Sequence, residues 1–192
     1  MEVYVPPATF TVPPPRSERW TELLGALRRR CLCPLVLDAD GINAITPHML
    51  LEDTASAPLI LTPHPGEMAR LLDTSTGAVQ KRREEIARRF ADSYGVTLAL
   101  KGHHTLVTAP GQPLWCNPTG NPGMAAGGSG DVLAGMIGSL AAQGLAPLEA
   151  AACGVWLHGA AGDAAAARRS QHSMLPSDLV EELGGLFLKF EK

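Results

Sequence analysis

Charge is scarce in this sequence: Asp, Glu, Lys and Arg make up 18% of its 192 residues, against roughly 25% in an average domain. Sixteen Lys and Arg face nineteen Asp and Glu, a formal net charge of −3. The basic residues are scattered and form no stripe for a nucleic acid to follow, so no nucleic-acid partner is expected. Any polyanion bound here is a small one. Cysteine is also sparse, with only Cys31, Cys33, Cys116 and Cys153. A chain of this size does not need disulfides, and no second Cys/His pair completes a zinc pattern around Cys31-Leu32-Cys33. The four read as free thiols of a reducing compartment. Nowhere do about 18 uninterrupted apolar residues occur. The opening residues MEVYVPPATFTVPPP have neither a basic start nor a continuous apolar segment, so neither a secretory signal nor a membrane anchor is expected. The expected location is the cytoplasm, with no membrane partner.

Hydrophobic residues, in contrast, make up 45% of the chain. That excludes disorder of the whole chain and supplies a core. Five of the first fifteen residues are proline, which fixes φ and lacks a backbone donor, so residues 1–16 are expected to form a poorly ordered arm. Residues 17–192 are expected to form a single domain without internal repeats. Ser17 is a candidate cap for a helix to Arg30, with Trp20, Leu23, Leu24 and Leu27 at helical spacing and Arg28, Arg29 and Arg30 at its negative end. Short apolar runs at Pro34–Asp38, Pro58–Thr62, Val96–Lys101 and Thr105–Ala109 read as strands. Lys81 to Tyr94 reads as one charged helix ending at Gly95. Asp131–Gln143, Pro147–Arg168 and Ser177–Phe190 read as further helices, with Ser177 as the cap of the last and Glu181 and Glu182 solvated. The stretch from Leu114 to Gly130 is rich in Gly, Pro and Asn. Strands alternating with helices imply an α/β sheet covered on both faces. The Ala-rich segments 150–152 and 164–167 are surfaces for close packing, either inside the domain or in a homo-oligomer.

The most informative segment is Asn121-Pro122-Gly123-Met124-Ala125-Ala126-Gly127-Gly128-Ser129-Gly130-Asp131. It is a glycine-rich loop entering a helix whose apolar positions are Val132, Leu133, Met136, Ile137 and Leu140. Such a junction aims unpaired N–H groups and the positive helix end at one spot, where an oxyanion fits. Gly127, Gly128 and Gly130 let the backbone approach a ligand without a Cβ in the way. Asp131 in the first turn is either a helix-charge partner or a catalytic carboxylate. No Gly-Lys-Ser/Thr follows, which excludes the Walker pattern, and no strand directly precedes, which excludes the dinucleotide fingerprint.

The segment from Asn121 to Gly135, NPGMAAGGSGDVLAG, resembles the signature of the ADP- or ATP-dependent NAD(P)H-hydrate dehydratases, nucleotide repair enzymes of the ribokinase-like superfamily. Three further segments agree in order and spacing: Leu37-Asp38-Ala39-Asp40-Gly41-Ile42-Asn43, Leu61-Thr62-Pro63-His64-Pro65-Gly66-Glu67 and Leu100-Lys101-Gly102-His103-His104-Thr105. Leu157 to Asp163 and Pro176-Ser177-Asp178 match the family's last two helices. The resemblance implies a three-layer α/β/α domain with a mostly parallel central sheet. Family members normally carry a longer N-terminal part with a GPGLG-like loop, which the proline-rich start replaces here. The N-terminal part of the usual domain is therefore expected to be missing.

Each of these acids and histidines follows a strand, the edge where ligands collect in open α/β sheets. His64 sits between two prolines that hold it extended. The resemblance implies that it contacts a hydrated nicotinamide nucleotide, while the residues alone also allow a histidine that caps backbone. Glu67 corresponds to the acid through which related kinases organise Mg2+, and it would equally be favoured at a helix start by the dipole. The resemblance implies that Lys101, Gly102, His103, His104 and Thr105 line an adenine nucleotide; the alternative is a plain β-hairpin. Asp38 and Asp40 read as polar strand ends or as part of the Mg2+ and phosphate environment. His103 and His104, taken as neighbours on a strand, point to opposite faces and do not share an ion.

The implied chemistry starts from NADH or NADPH damaged by addition of water across a nicotinamide double bond. ADP or ATP, with Mg2+, phosphorylates the new hydroxyl, and departure of phosphate restores the double bond. Asp131 contacts the substrate and accepts the hydroxyl proton, while Gly128, Ser129 and Gly130 form the anion hole, with Gly130 also on the nucleotide. Two rival readings remain open: a ribokinase-like kinase of a vitamin-precursor alcohol, against which TPHPGE speaks, and a vestigial nucleotide-binding protein without a complete substrate site.

Overall fold

A computed structural model of the chain describes residues 18–52 and 57–191. The proline-rich arm and Ser17 lie outside the described residues. The chain runs α1 (Glu18–Arg30), β1 (Leu35–Leu37), α2 (Asp40–Asn43), α3 (Pro47–Glu52), β2 (Leu59–Leu61), α4 (Pro65–Leu71), α5 (Thr76–Lys81), α6 (Arg83–Tyr94), β3 (Thr97–Leu100), β4 (Leu106–Thr108), β5 (Trp115–Cys116), α7 (Ser129–Ala142), α8 (Pro147–Arg169) and α9 (Pro176–Phe187). A short 3-10 turn spans Pro122–Met124. The strands form one sheet in the order β1-β2-β3-β4-β5. β1, β2 and β3 are parallel, β4 is antiparallel to β3, and β5 is antiparallel to β4. All strands except β4 therefore run the same way.

Strand side chains alternate between the two faces, and the core divides accordingly. Leu37, Leu59, Leu61, Leu98, Leu100 and Leu106 share one cluster with Met68, Val79, Ala87 and Phe90 of the helices between α1 and α6. Ile60, Ala99 and Val107 face the other way, onto Leu133 and Ile137 of α7 and Ala150, Ala151 and Val155 of α8. The result is the three-layer α/β/α arrangement. Ala150, Ala151 and Ala165 are fully buried, so these small side chains serve packing within the domain. No helix among the described residues is long and apolar enough to cross a membrane.

Several expected boundaries are corrected. The single helix expected from Lys81 is two, because Arg82 leaves the helical region (φ −134°, ψ 33°) between α5 and α6; Gly95 does end α6 in the left-handed conformation at φ 64°. The Gly-, Pro- and Asn-rich stretch, to which the sequence assigned no strand, holds β5, which pairs Trp115 with Val107 and Cys116 with Leu106. Ser177 does not cap α9: the helix starts at Pro176, and Asp178 Oδ2 accepts the Leu175 N–H at 2.7 Å. Glu181 and Glu182 are not merely solvated, for both pair with Arg168, at 2.9 and 2.7 Å.

The small residues of α8 are a packing requirement. A Cβ added to Gly154 would stand 2.6 Å from Ile137 Cγ1 and 3.3 Å from the Ile137 backbone. Gly154→Ala is therefore expected to push α7 off α8 and to destabilise the protein by about 1–3 kcal/mol, read as a lower urea midpoint at unchanged slope.

Candidate active site

Parallel strands deliver their C-terminal ends to one edge of the sheet, and here three of those ends meet a helix start. β1 is followed by Asp38 and β3 by Lys101, whose Nζ lies 2.6 Å from Asp38 Oδ1. The turn after β2 leads into α4, which brings Glu67 Oε2 to 3.9 Å from the same ammonium. The first turn of α7 completes the group: a Cβ on Gly130 would meet Asp38 Oδ2 at 3.2 Å and Lys101 Nζ at 3.4 Å. Glycine lets the backbone come this close without pressing on the Asp38 carboxylate. Backbone bonds fix the edge, with Thr62 N–H donating to Leu37 O at 3.1 Å and Lys101 N–H to Pro63 O at 2.8 Å.

His64 caps α4. Its backbone is extended (φ −80°, ψ 166°), as the flanking prolines predict. Its Nδ1 accepts from Gly66 N at 3.0 Å and Glu67 N at 3.3 Å, while Glu67 Oε2 accepts the His64 N–H at 2.7 Å. This reciprocal box satisfies donors that a helix start leaves open. An accepting Nδ1 puts the imidazole proton on Nε2, 3.5 Å from Glu67 Oε1. More than half of the His64 side chain stays exposed (57%), whereas that of Glu67 is buried at 8%. Both Glu67 oxygens thus face nitrogen partners. Among the described residues no group of three or more His, Cys, Asp or Glu could hold a metal ion.

At the glycine loop, Gly128 is left-handed at φ 92° and caps α7. The expected anion hole is corrected at one position. Ser129 N–H donates back to Ala126 O at 3.2 Å, so the free first-turn donors are those of Gly130 and Asp131, which have no backbone acceptor among the described residues. The Ser129 side chain is buried and points at a residue to which the sequence assigned no role. His158 Nε2 lies 3.2 Å from Ser129 Oγ and donates to Ser129 O at 2.9 Å. Burial pushes the His158 imidazole down to about 4, the Lys101 charge adds to this, and the bond to Ser129 opposes it. It is neutral at pH 7. The signal was a histidine inside an otherwise Ala- and Gly-rich helix. Asp131 is exposed in the first turn of α7.

Lys101 to Thr105 form the turn between β3 and β4, as the hairpin alternative held. Thr105 Oγ1 donates to Gly102 O at 3.2 Å, and His104 Nδ1 donates to Asn117 O at 3.0 Å. His103 and His104 are not on a strand, and their rings do not point apart. His104 adopts φ 55°, and the two imidazoles touch at a tilt of 50° with centroids 3.9 Å apart. Asp40, by contrast, stays outside this group, accepting Asn43 Nδ2 at 3.2 Å. Asp163 secures the loop before α7 by accepting Gly120 N–H at 2.9 Å and Asn121 Nδ2 at 3.0 Å.

The family model described as NAD(P)H-hydrate dehydratase matches residues 16–184. The chain is 48% identical over 168 residues to the bifunctional NAD(P)H-hydrate repair enzyme Nnr of Moorella thermoacetica, covering 88% of this chain and 32% of that one. It is also 48% identical over 143 residues to the ADP-dependent (S)-NAD(P)H-hydrate dehydratase of Neisseria meningitidis, covering 73% of this chain and 48% of that one. Among solved structures, the ADP/ATP-dependent NAD(P)H-hydrate dehydratase of Bacillus subtilis, co-crystallised with ATP and Mg2+, superposes with a TM-score of 0.76 at 35% identity, covering 83% of this chain and 56% of that one. The chain thus spans about a third to a half of the length of these two curated relatives.

His158 gives the stability a specific pH dependence. Its folded value of about 4 lies below the ordinary 6.5, so between the two the unfolded chain binds a proton that the native chain does not. Stability then rises with pH: the contribution is complete above about 6.5 and is lost as pH falls towards 4. It amounts to about 3 kcal/mol. Urea midpoints at pH 7 and pH 4.5 are expected to differ less in His158→Gln than in the wild type.

Proposed function

The chain belongs to the NAD(P)H-hydrate dehydratase family, and from that premise we propose that it dehydrates (S)-NADHX or NADPHX to NADH or NADPH at the expense of ADP or ATP, releasing AMP or ADP and phosphate. The observation that carries this reading is the meeting of Lys101, Asp38 and the Gly130 backbone at the start of α7, with Asp131 exposed one residue further on. A cation, free helix-start donors and an accessible carboxylate side by side are what phosphoryl transfer to a hydroxyl needs.

In the proposed reaction the substrate hydroxyl oxygen forms a bond to the terminal phosphorus of the donor, and the bond from that phosphorus to the leaving nucleotide breaks. Asp131 takes the hydroxyl proton. A carboxylate is a weak base, but the loose transition state asks it chiefly to orient the hydroxyl and accept the proton late. The N–H groups of Gly130 and Asp131 receive the charge on the moving phosphoryl, with Gly128 shaping the approach. Loss of phosphate from one carbon and of a proton from its neighbour then restores the nicotinamide double bond.

Lys101, Gly102, His103, His104 and Thr105 are the proposed nucleotide contacts, and the exposed Nε2 edge of His64 is the proposed substrate contact. Mg2+ enters as part of the nucleotide co-substrate. Glu67 does not fit a resident metal, because its carboxylate serves the His64 cap and faces Lys101, and no step is assigned to the ion. The domain limits proposed are an arm at 1–16 and one domain at 17–192.

The test is recovery of reduced-nicotinamide absorbance when enzymatically hydrated NADPH is incubated with the protein, Mg2+ and ADP or ATP. Asp131→Asn is expected to lower turnover by at least 100-fold while nucleotide still binds. Unchanged turnover removes Asp131 from the mechanism. A stable phosphorylated product identifies a small-molecule kinase instead, and nucleotide binding without turnover in the wild type identifies a binding protein.

A further inference from the structure

Arg83 occupies an unfavourable place for a cation. It is the first residue of α6, where the helix dipole is positive and acids are preferred. Burial lowers the pKa of its guanidinium, and its Nε is buried without a hydrogen-bond partner among the described residues. Its partners are carbonyl oxygens, and all of them belong to one segment. Nη1 donates to His103 O at 2.6 Å, and Nη2 lies 3.2 Å from Leu100 O, 3.4 Å from Lys101 O and 3.3 Å from His104 O. The fit is close: a Cβ on Gly102 would stand 3.1 Å from Nη2, and Gly102 itself takes φ 141°.

The planar trans peptide makes this clamp directional, because the C=O of one residue and the N–H of the next point in opposite directions. Drawing the Leu100 carbonyl towards Arg83 sends the Lys101 N–H the other way, where it meets Pro63 O at 2.8 Å, on the strand-end edge of the site. By the same geometry, the carbonyls of Lys101, His103 and His104 turn the N–H groups of Gly102, His104 and Thr105 away from Arg83. None of these three has a backbone acceptor among the described residues. The hairpin therefore hides its acceptors against a guanidinium and presents donors beside the Lys101 ammonium, a pattern that suits the phosphate and ribose oxygens of a nucleotide.

We propose that Arg83 is a positioning residue for nucleotide binding: it shapes Lys101–Thr105 into a donor-lined turn without touching the nucleotide. This rests on the dehydratase reading of that turn, yet it concerns a residue twenty positions away in sequence. Loss of the clamp lets the peptides of the turn rotate, which weakens nucleotide binding and leaves the carboxylate at Asp131 and the substrate contact at His64 in place.

The test compares wild type, Arg83→Lys and Arg83→Ala. ADP and ATP, each with Mg2+, are titrated directly, and the absorbance assay is run with nucleotide and hydrated NADPH varied separately. Arg83→Ala is expected to weaken nucleotide Kd and raise nucleotide KM by about tenfold or more, with Arg83→Lys intermediate. The KM for hydrated NADPH and kcat at saturating nucleotide are expected to stay within about twofold. A lower urea midpoint with unchanged Kd in the folded variants would show a merely structural arginine and overturn the proposal. Should Arg83→Ala not fold, Arg83→Lys decides; if neither folds, the residue is structural and the proposal fails. If the wild type binds nucleotide without turnover, the dehydratase reading falls and the Kd comparison still judges Arg83. If the wild type binds no nucleotide, both fall.

Discussion

The pairing of Lys101 with Asp38 at 2.6 Å joins the ends of β1 and β3 across the intervening β2, and the rest of the site is arranged around it. A lysine ammonium this sheltered is costly to desolvate and needs an acid beside it. Asp38 meets that need, and Glu67 at 3.9 Å adds a second, weaker attraction. The same pair limits what α7 can bring to the edge. With Asp38 Oδ2 3.2 Å and Lys101 Nζ 3.4 Å from where a Cβ of residue 130 would be, a side chain there would crowd the Asp38 carboxylate. One ion pair thus sets the lysine's position and brings a helix N-terminus close to a cation, which is the basis of the proposed anion site.

Residues that look like reagents in the motifs serve first as structure. His64 and Glu67 exchange hydrogen bonds in a capping box, and both have their orientations fixed before any ligand arrives. That is useful to chemistry, since a histidine whose Nδ1 accepts two backbone N–H groups has a defined tautomer with Nε2 carrying the proton. Asp131 is arranged differently: it sits exposed at a helix start whose dipole favours a negative charge there. Asp131, for which no side-chain partner is found among the described residues, can turn towards a hydroxyl, whereas Glu67 would have to break its cap to do so. This contrast, more than either residue's acidity, is why the proposed reaction gives the proton to Asp131 and not to Glu67.

The layers were legible in the sequence because their signals are local. Pro34–Asp38, Pro58–Thr62 and Val96–Lys101 are short apolar runs between turn residues, and each became a parallel strand with an acid, a threonine or a lysine at its end. The Gly-rich loop running into α7 was legible for the same reason. What stayed hidden depends on contacts distant in sequence. His158 acts on Ser129, 29 residues away, and Arg83 acts on carbonyls 17 to 21 residues away, inside a helix that reads as solvated because it is charged. β5 was missed because two residues, Trp115 and Cys116, are too few to show alternation, and only pairing with β4 defines them. The touching rings of His103 and His104 reversed a strand argument because the left-handed φ of 55° at His104 belongs to a turn.

Those two hidden residues have a common logic. The proposed anion-binding surface consists of two backbone segments, the start of α7 and the turn after β3, and backbone donors are useful only when their peptides are held at fixed angles. Each segment is tied from behind by one side chain that donates to its carbonyls: His158 to Ser129 O at 2.9 Å, and Arg83 to the oxygens of residues 100, 101, 103 and 104. Neutralising a carbonyl on the hidden side leaves the adjoining peptides with donors to present on the other. The two ties also differ in a way that suits their surroundings. His158 lies close enough to Lys101 for its charge to be felt, and a neutral imidazole there supplies one hydrogen bond without a second cation. Arg83 holds a wider turn, and a guanidinium can reach several carbonyls at once where an imidazole reaches one.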